Sequence, residues 1–301
     1  MSALTKKVIE TEKLNLEQLL FKKSKPTNLS FQGTGIYSTL QEKNISIIRE
    51  LQNSNGTRVY TVSNPKNEIR IAKVNTTKYI DTSENTFREY LVLSALDLKF
   101  IPKVDELIIT TDSNLIMLAS YIPGKNPYSE LFQYFPISKQ IDFIYKMLDI
   151  LDYLHKPELN NIFNEPVVHI DIKPKNIMYD KDEYYLIDFG TVKTVSELRS
   201  TILNVGTTKF SDPIQTIAGI SADYYALGMT CLNLFFPRQF SDSEIIRGDE
   251  ILGKSTYPFK VQRSGNMPEK YPDILNRMIT LNLNDRYKNS DQIRHDLRRI
   301  N

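Results

Sequence analysis

Glycine is scarce in this chain, 11 of 301 residues, about half the usual share of ~7%. Any motif built on closely spaced glycines is therefore expected to be incomplete. Cysteine is scarcer still: Cys231 stands alone and has no intrachain disulfide partner. Histidine occurs only at His155, His169 and His295, so no Cys/His set has zinc-ligand spacing. An excess of charge is also missing. Lys plus Arg total 38 and Asp plus Glu 36, a net of +2, too balanced for the broad basic face on which nonspecific nucleic-acid binding relies. Nucleic acid is not expected as a partner. No stretch approaches 18 uninterrupted apolar residues, and the opening MSALTKKVIETEK sets charges where a signal peptide needs an apolar core. No stable membrane insertion is expected. Together these absences suit a reducing, cytoplasmic setting, whether in the cell that makes the protein or in one that receives it.

What is present is ordinary globular material, 41% hydrophobic and 25% charged, long enough for one large domain or two lobes. No repeat at a fixed period of 20 to 50 residues is apparent. Residues 1–44 read as an extension, with Leu4, Val8, Leu16, Leu19 and Leu20 near helical spacing before the polar KSKPTN. This stripe suits packing on the following domain, or docking to a partner or a membrane surface. From Ile45 the pattern turns to short strands: ISIIREL, RVYTVSN and EIRIAKV form a meander, with a turn at Asn64-Pro65-Lys66-Asn67. A helix around ENTFREYLVLSAL and two strands, VDELIIT and NLIMLASY, complete a β-rich lobe over 45–120. The remainder, 121–301, reads as mainly helical in ISKQIDFIYKMLDILDYLH and ADYYALGMTCLNLFF, interrupted by a hairpin, NIMY-DKDE-YYLIDFG.

Two motifs flank that hairpin: HIDIKPKN at 169–176 and DFG at 188–190. With them the chain resembles the eukaryotic-type (Hanks-type) serine/threonine protein kinase superfamily, as a divergent member, over about Ile45 to Arg299. The resemblance implies an α+β, two-lobed kinase fold with a small β-rich N-lobe and a larger helical C-lobe. It implies ATP and Mg2+ as cofactors and a protein substrate. Phosphoryl transfer asks for positioning and charge neutralisation. Asp171 would orient or accept the proton of the substrate hydroxyl, and Lys173 would reach the transferring phosphate, a placement used for serine/threonine substrates. Asn176 and Asp188 would supply oxygen ligands to Mg2+. The resemblance gives His169 a packing and hydrogen-bonding role next to Phe189, and His155 reads as a helix C-terminal residue. In the small lobe Lys73 would hold the α- and β-phosphates and pair with Glu89.

Several positions depart from the family pattern. Aligned on Val59, the phosphate-covering loop has Gln52, Ser54 and Thr57 where glycines are usual, with Gly56 inside the turn. Substitutes there should loosen nucleotide binding unless Asn53, Asn55 and Gly56 allow an equivalent turn. At the adenine site Ile71 replaces a common Ala, while Ala119, before Ser120 and Tyr121, is unusually small, a pair of exchanges that would conserve volume. Ile170 stands where many kinases have an arginine that pairs with an activation-loop phosphate. Phosphate on Thr191, Thr194, Ser196, Ser200 or Thr201 would lack that partner. Asp212-Pro213-Ile214 stands where the family has Ala-Pro-Glu, and Ile214 cannot bond the matching Arg286, so this segment is expected to lack its anchor. Asp223 matches a buried Asp that supports the catalytic loop, and Gly206-Thr207-Thr208-Lys209-Phe210 a substrate-facing segment. The expected activity is Ser/Thr phosphorylation. The alternatives are a nucleotide-binding pseudokinase and a kinase-fold enzyme acting on a non-protein substrate.

Overall fold

A computed structural model describes residues 29–31, 35–54, 56–75, 80–112, 114–127, 130–160, 162–200, 210–237, 261–263 and 267–300. The chain divides into two compact units, one of Met1–Pro123 with Ile187–Gly190, the other of Gly124–Leu186 with Thr191–Asn301. The first is β-rich and the second helical, as the sequence predicts.

In the first unit a six-stranded sheet has the order β1-β5-β6-β4-β3-β2. Its strands are β1 (Leu29–Phe31), β2 (Ser46–Ser54), β3 (Thr57–Ser63), β4 (Ile69–Asn75), β5 (Val104–Ile109) and β6 (Leu115–Ser120). Five of them are the strands read from alternation, all joined antiparallel. β1 was not expected: Leu29–Phe31 pairs in parallel with Leu107–Ile109. Nor was α1 (Ile36–Glu42), which is only seven residues long. Side chains alternate across the sheet. Ala72 and Val74 of β4 join Tyr60, Val62, Ile116 and Leu118 in a buried cluster that Leu40 of α1 caps. The opposite face of β4, carrying Ile71, Lys73 and Asn75, turns to helix α2 (Ile80–Ala95), whose Phe87, Tyr90, Leu91 and Val92 are buried. Residues 1–28 and 32–34 of the expected extension lie outside the described residues.

In the second unit α3 (Ile137–His155) buries Phe143, Ile144, Met147, Leu148, Leu151 and Leu154 at three- and four-residue spacing. Next come β7 (Val167–Val168) and a tight hairpin of β8 (Ile177–Asp180) and β9 (Glu183–Leu186). Lys181 and Asp182 turn that hairpin at φ +48° and +65°, the left-handed pair that matches strand twist. After β10 (Lys193–Thr194) and α4 (Val195–Ser200), the central helix α5 (Ser221–Phe235) is buried along almost its whole length, Cys231 included. Such an all-round apolar helix belongs in the middle of a core, and α3 and α6 (Lys270–Ile279) pack on it while α7 (Ser290–Leu297) packs on both of these. Among the described residues no helix is long and apolar enough to cross a membrane.

Candidate active site

Within the first unit, β4 and α2 bring Lys73 to Glu89, with Nζ 2.6 Å from Oε2. The same ammonium lies 3.0 Å from Oδ1 of Asp188, and Oε1 of Glu89 accepts from the Phe189 amide at 3.3 Å. Burial works against the Lys73 charge, but Asp188 and Glu89 outweigh it and hold its pKa above the ordinary lysine value. Burial likewise pushes the Glu89 carboxyl up; Lys73 pulls it back and Asp188 adds to the rise. Two carboxylates thus share one cation, a donor set with spare negative charge that suits a hard cation on Asp188.

The β2–β3 hairpin closes as a tight turn without the expected glycines. Ser54 stands opposite Thr57, so two residues make the turn, and Gly56 adopts φ +78°, where L-residues are rarely accommodated. An Asn-Gly pair favours this geometry; Asn55 itself lies outside the described residues. Gln52 is paired with Val59 and Val59 with Lys73 across the strands, so register leads directly from the hairpin to the lysine. Ile71 and Ala119 are also direct cross-strand partners. Side chains so placed stand about 4.5–5.5 Å apart at Cβ, close enough for the large residue to fill the space the small one leaves. Ser120 accepts through Oγ from the Lys103 amide at 2.9 Å, and Tyr121 follows the strand, exposed.

Within the second unit, Asp171, Lys173 and Asn176 converge on one carboxylate. Lys173 Nζ donates to Asp171 Oδ2 at 2.6 Å, and Asn176 Nδ2 donates to the same oxygen at 3.0 Å and to the Asp171 carbonyl at 2.9 Å. Since the Asn176 amide nitrogen makes both bonds, its oxygen retains ligand chemistry. Pro174–Asn176 forms a single tight turn, closed by Asn176 N to Lys173 O at 2.9 Å. Asn126 braces that turn, donating to the carbonyls of Pro174 and Lys175 at 3.0 and 2.9 Å. It is delivered by Gly124, at φ +136°, where a Cβ would sit 2.5 Å from the Tyr179 carbonyl oxygen. Nothing in the sequence pattern singled out Asn126.

Ile170, before Asp171, adopts φ +72°, a conformation that β-branched residues enter only under strain, of about 1–3 kcal/mol. Asp223 on α5 holds it there: its carboxylate accepts from the amides of His169 and Ile170, each at 2.8 Å. Bonds to a buried charge are each worth about 1.5–3 kcal/mol, enough to offset the strain. His155 adds a third bond, Nε2 to Asp223 Oδ2 at 2.8 Å, with Tyr224 Oη 3.2 Å from Nδ1. His155 ends α3 as expected, yet its ring belongs to the support of this loop. The sign of that role lay in its pairing with Asp223, 68 positions away, which local pattern does not reveal.

The Ile170 side chain packs with Val168, Leu198 and Ala222, and Val195 lies against them, so an apolar contact holds α4 where many kinases use arginine and phosphate. Thr194 is buried and caps α4 reciprocally with Glu197, at 2.8 and 3.1 Å; Thr191 donates to the His169 carbonyl at 3.1 Å. Thr201 and the 206–209 stretch lie outside the described residues. The expectation of a missing anchor is corrected: Arg286 binds Asp212, at the first position of the motif rather than the third. Both side chains are fully buried. Burial raises the Asp212 pKa, with Arg286 opposing.

The sequence profile of the protein kinase domain matches residues 47–297. Serine/threonine-protein kinase B of Synechocystis sp. is 26% identical over 210 residues, covering 64% of this chain and 34% of that protein. Serine/threonine-protein kinase cds1 of Schizosaccharomyces pombe is 25% identical, over 69% of this chain and 46% of its own length. Serine/threonine-protein kinase 1 of African swine fever virus is 24% identical, over 72% and 70%. The match thus spans about a third of the cyanobacterial relative.

Proposed function

Because the chain belongs to the protein kinase domain family, we propose that it is a serine/threonine protein kinase that uses ATP and Mg2+. The observation that carries this reading over a pseudokinase is the bridging of Glu89 and Asp188 by Lys73, at 2.6 and 3.0 Å. The relatives described above are serine/threonine-protein kinases, which supports the substrate class.

When bound, ATP supplies the phosphoryl group and Mg2+ neutralises its oxygens. Asp188 and Asn176 would hold the metal, and Lys73, positioned by Glu89, the α- and β-phosphates. Gln52, Ser54, Gly56 and Val59 would cover the nucleotide; Ile71, Ala119, Ser120 and Tyr121 would border the base. Asp171 would receive or orient the hydroxyl proton, and Lys173, which already donates to its carboxylate, would supply positive charge beside the transferring phosphate. The test incubates pure protein with γ-labelled ATP, Mg2+ and a generic basic protein, beside Asp171→Asn. Label on serine or threonine, reduced roughly 10²–10⁴-fold in the variant, is expected. Absence of label in the wild type, or equal label in both, overturns the reading.

A further inference from the structure

Beside the Lys73–Glu89 pair, β4 and α2 share a second polar link. Thr86 Oγ1 donates to Asn75 Oδ1 at 2.6 Å, and Asn75 Nδ2 donates to Thr57 Oγ1 at 2.8 Å. Asn75 and Thr86 are fully buried. The chain follows from register: Thr57 is the cross-strand partner of Asn75, as Val59 is of Lys73. Asn75 lies two residues beyond Lys73, about 6.6 Å along the strand on the same face. Thr86 lies three residues before Glu89, about 4.5 Å back along the helix on the same side. The strand and helix are thus fastened at two points, and the second continues into the hairpin through Thr57. That residue occupies one of the three positions where the family has glycine, which has no hydroxyl to offer.

We propose that Thr57, Asn75 and Thr86 are positioning residues that tie the β2–β3 hairpin to the helix carrying Glu89, so that the placement of the hairpin and the pairing of Lys73 with Glu89 are coupled. Asn75 uses one amide as donor to Thr57 and acceptor from Thr86, so a shift of that side chain at either end is transmitted to the other. That the coupled hairpin is the one covering nucleotide rests on the kinase reading above; the link itself does not.

The experiment compares Thr57→Val, Thr86→Val, their combination and Thr86→Ser, in the full chain without nucleotide, by amide hydrogen exchange in peptides covering residues 84–95. Thr57→Val removes only a hydroxyl, on a different element, yet exchange in the helix should quicken about tenfold. Thr86→Val should act alike, Thr86→Ser should stay near wild type, and the double variant should be no worse than either single, since both open one chain. Unchanged helix exchange in Thr57→Val, or a double effect equal to the product of the singles, overturns the proposal. A second arm measures the dissociation constant for ATP, expected to weaken about fivefold or more in both valine variants and not in Thr86→Ser. Equal affinities with altered exchange would reduce the link to stability alone and reject the coupling. If the wild type binds no ATP, the kinase reading fails while the exchange result still decides the link.

Discussion

Asp212 and Arg286, 74 positions apart, meet as an ion pair with neither side chain exposed to solvent. Arg286 Nε also donates to the Thr280 carbonyl at 2.7 Å, so the guanidinium is fixed on two sides. Removing one member of such a pair strands the other charge in the interior, at about 3–5 kcal/mol. Asp212→Ala is expected to lose that much stability in urea unfolding, while Asp212→Leu with Arg286→Met recovers most of it. A single-variant loss below about 1 kcal/mol, the range of surface pairs, would refute the assignment.

Asp188 shares Lys73 with Glu89, and its carboxylate is the one proposed to take the metal. Asp188→Asn should therefore retain part of the thermal stabilisation by ATP alone and lose the increment added by Mg2+, since only ligands that prefer the native state raise the melting temperature. A full Mg2+ increment in the variant would show that the cation binds elsewhere.

Ile170 and Leu198 meet in an apolar cluster, so α4 is held without phosphate. Ser196→Ala with Ser200→Ala should leave turnover within about threefold, whereas Leu198→Ala should cost about 2–5 kcal/mol and lower turnover with it. Thr194 is not a clean target, because its hydroxyl caps α4. A drop beyond tenfold in the two-serine variant, reproduced by phosphatase treatment of the wild type, would assign control to phosphorylation.

Asp152 joins α3 to α7, accepting from Ser290 Oγ at 2.6 Å and from Arg294 Nη1 at 2.7 Å. Burial would raise its pKa, but the bonds to Ser290 and Lys156 and the charge of Arg294 prevail and hold it below the ordinary aspartate value. A carboxyl with a depressed folded pKa adds stability that is complete above the unfolded value of about 3.9 and fades as pH falls toward the folded one. Asp152→Asn should thus be less stable than wild type at pH 7, the gap narrowing below about pH 4. A gap that does not change with pH would mean that packing, not charge, accounts for the loss.

The parts legible in the sequence were those governed by local periodicity. Ile137–His155 and Ser221–Phe235 are the helices that apolar spacing indicates, and five strands follow alternation. β1 was hidden because three residues cannot display a period, and its partner Leu107–Ile109 lies far along the chain. The residues of the candidate site were visible because motif spacing is local. Among their supports Asp223 and Arg286 were marked by motif, but the partners that complete them were not: Asp212 meets Arg286, His155 meets Asp223 and Asn126 meets Pro174 only once the units fold. The Ile214 discrepancy shows the difference. Position-by-position alignment finds a missing carboxylate, whereas the space around Arg286 accepts one from two residues earlier.

The single thiol of Cys231 lies wholly inside α5, with its pKa raised by burial. A thiol in that state does not meet a water-soluble reagent while the helix stays packed. The speed at which an excess of disulfide reagent labels this protein is therefore the speed at which the middle of its helical unit opens. The chain carries its own clock for that event, with one reactive atom and no competing signal.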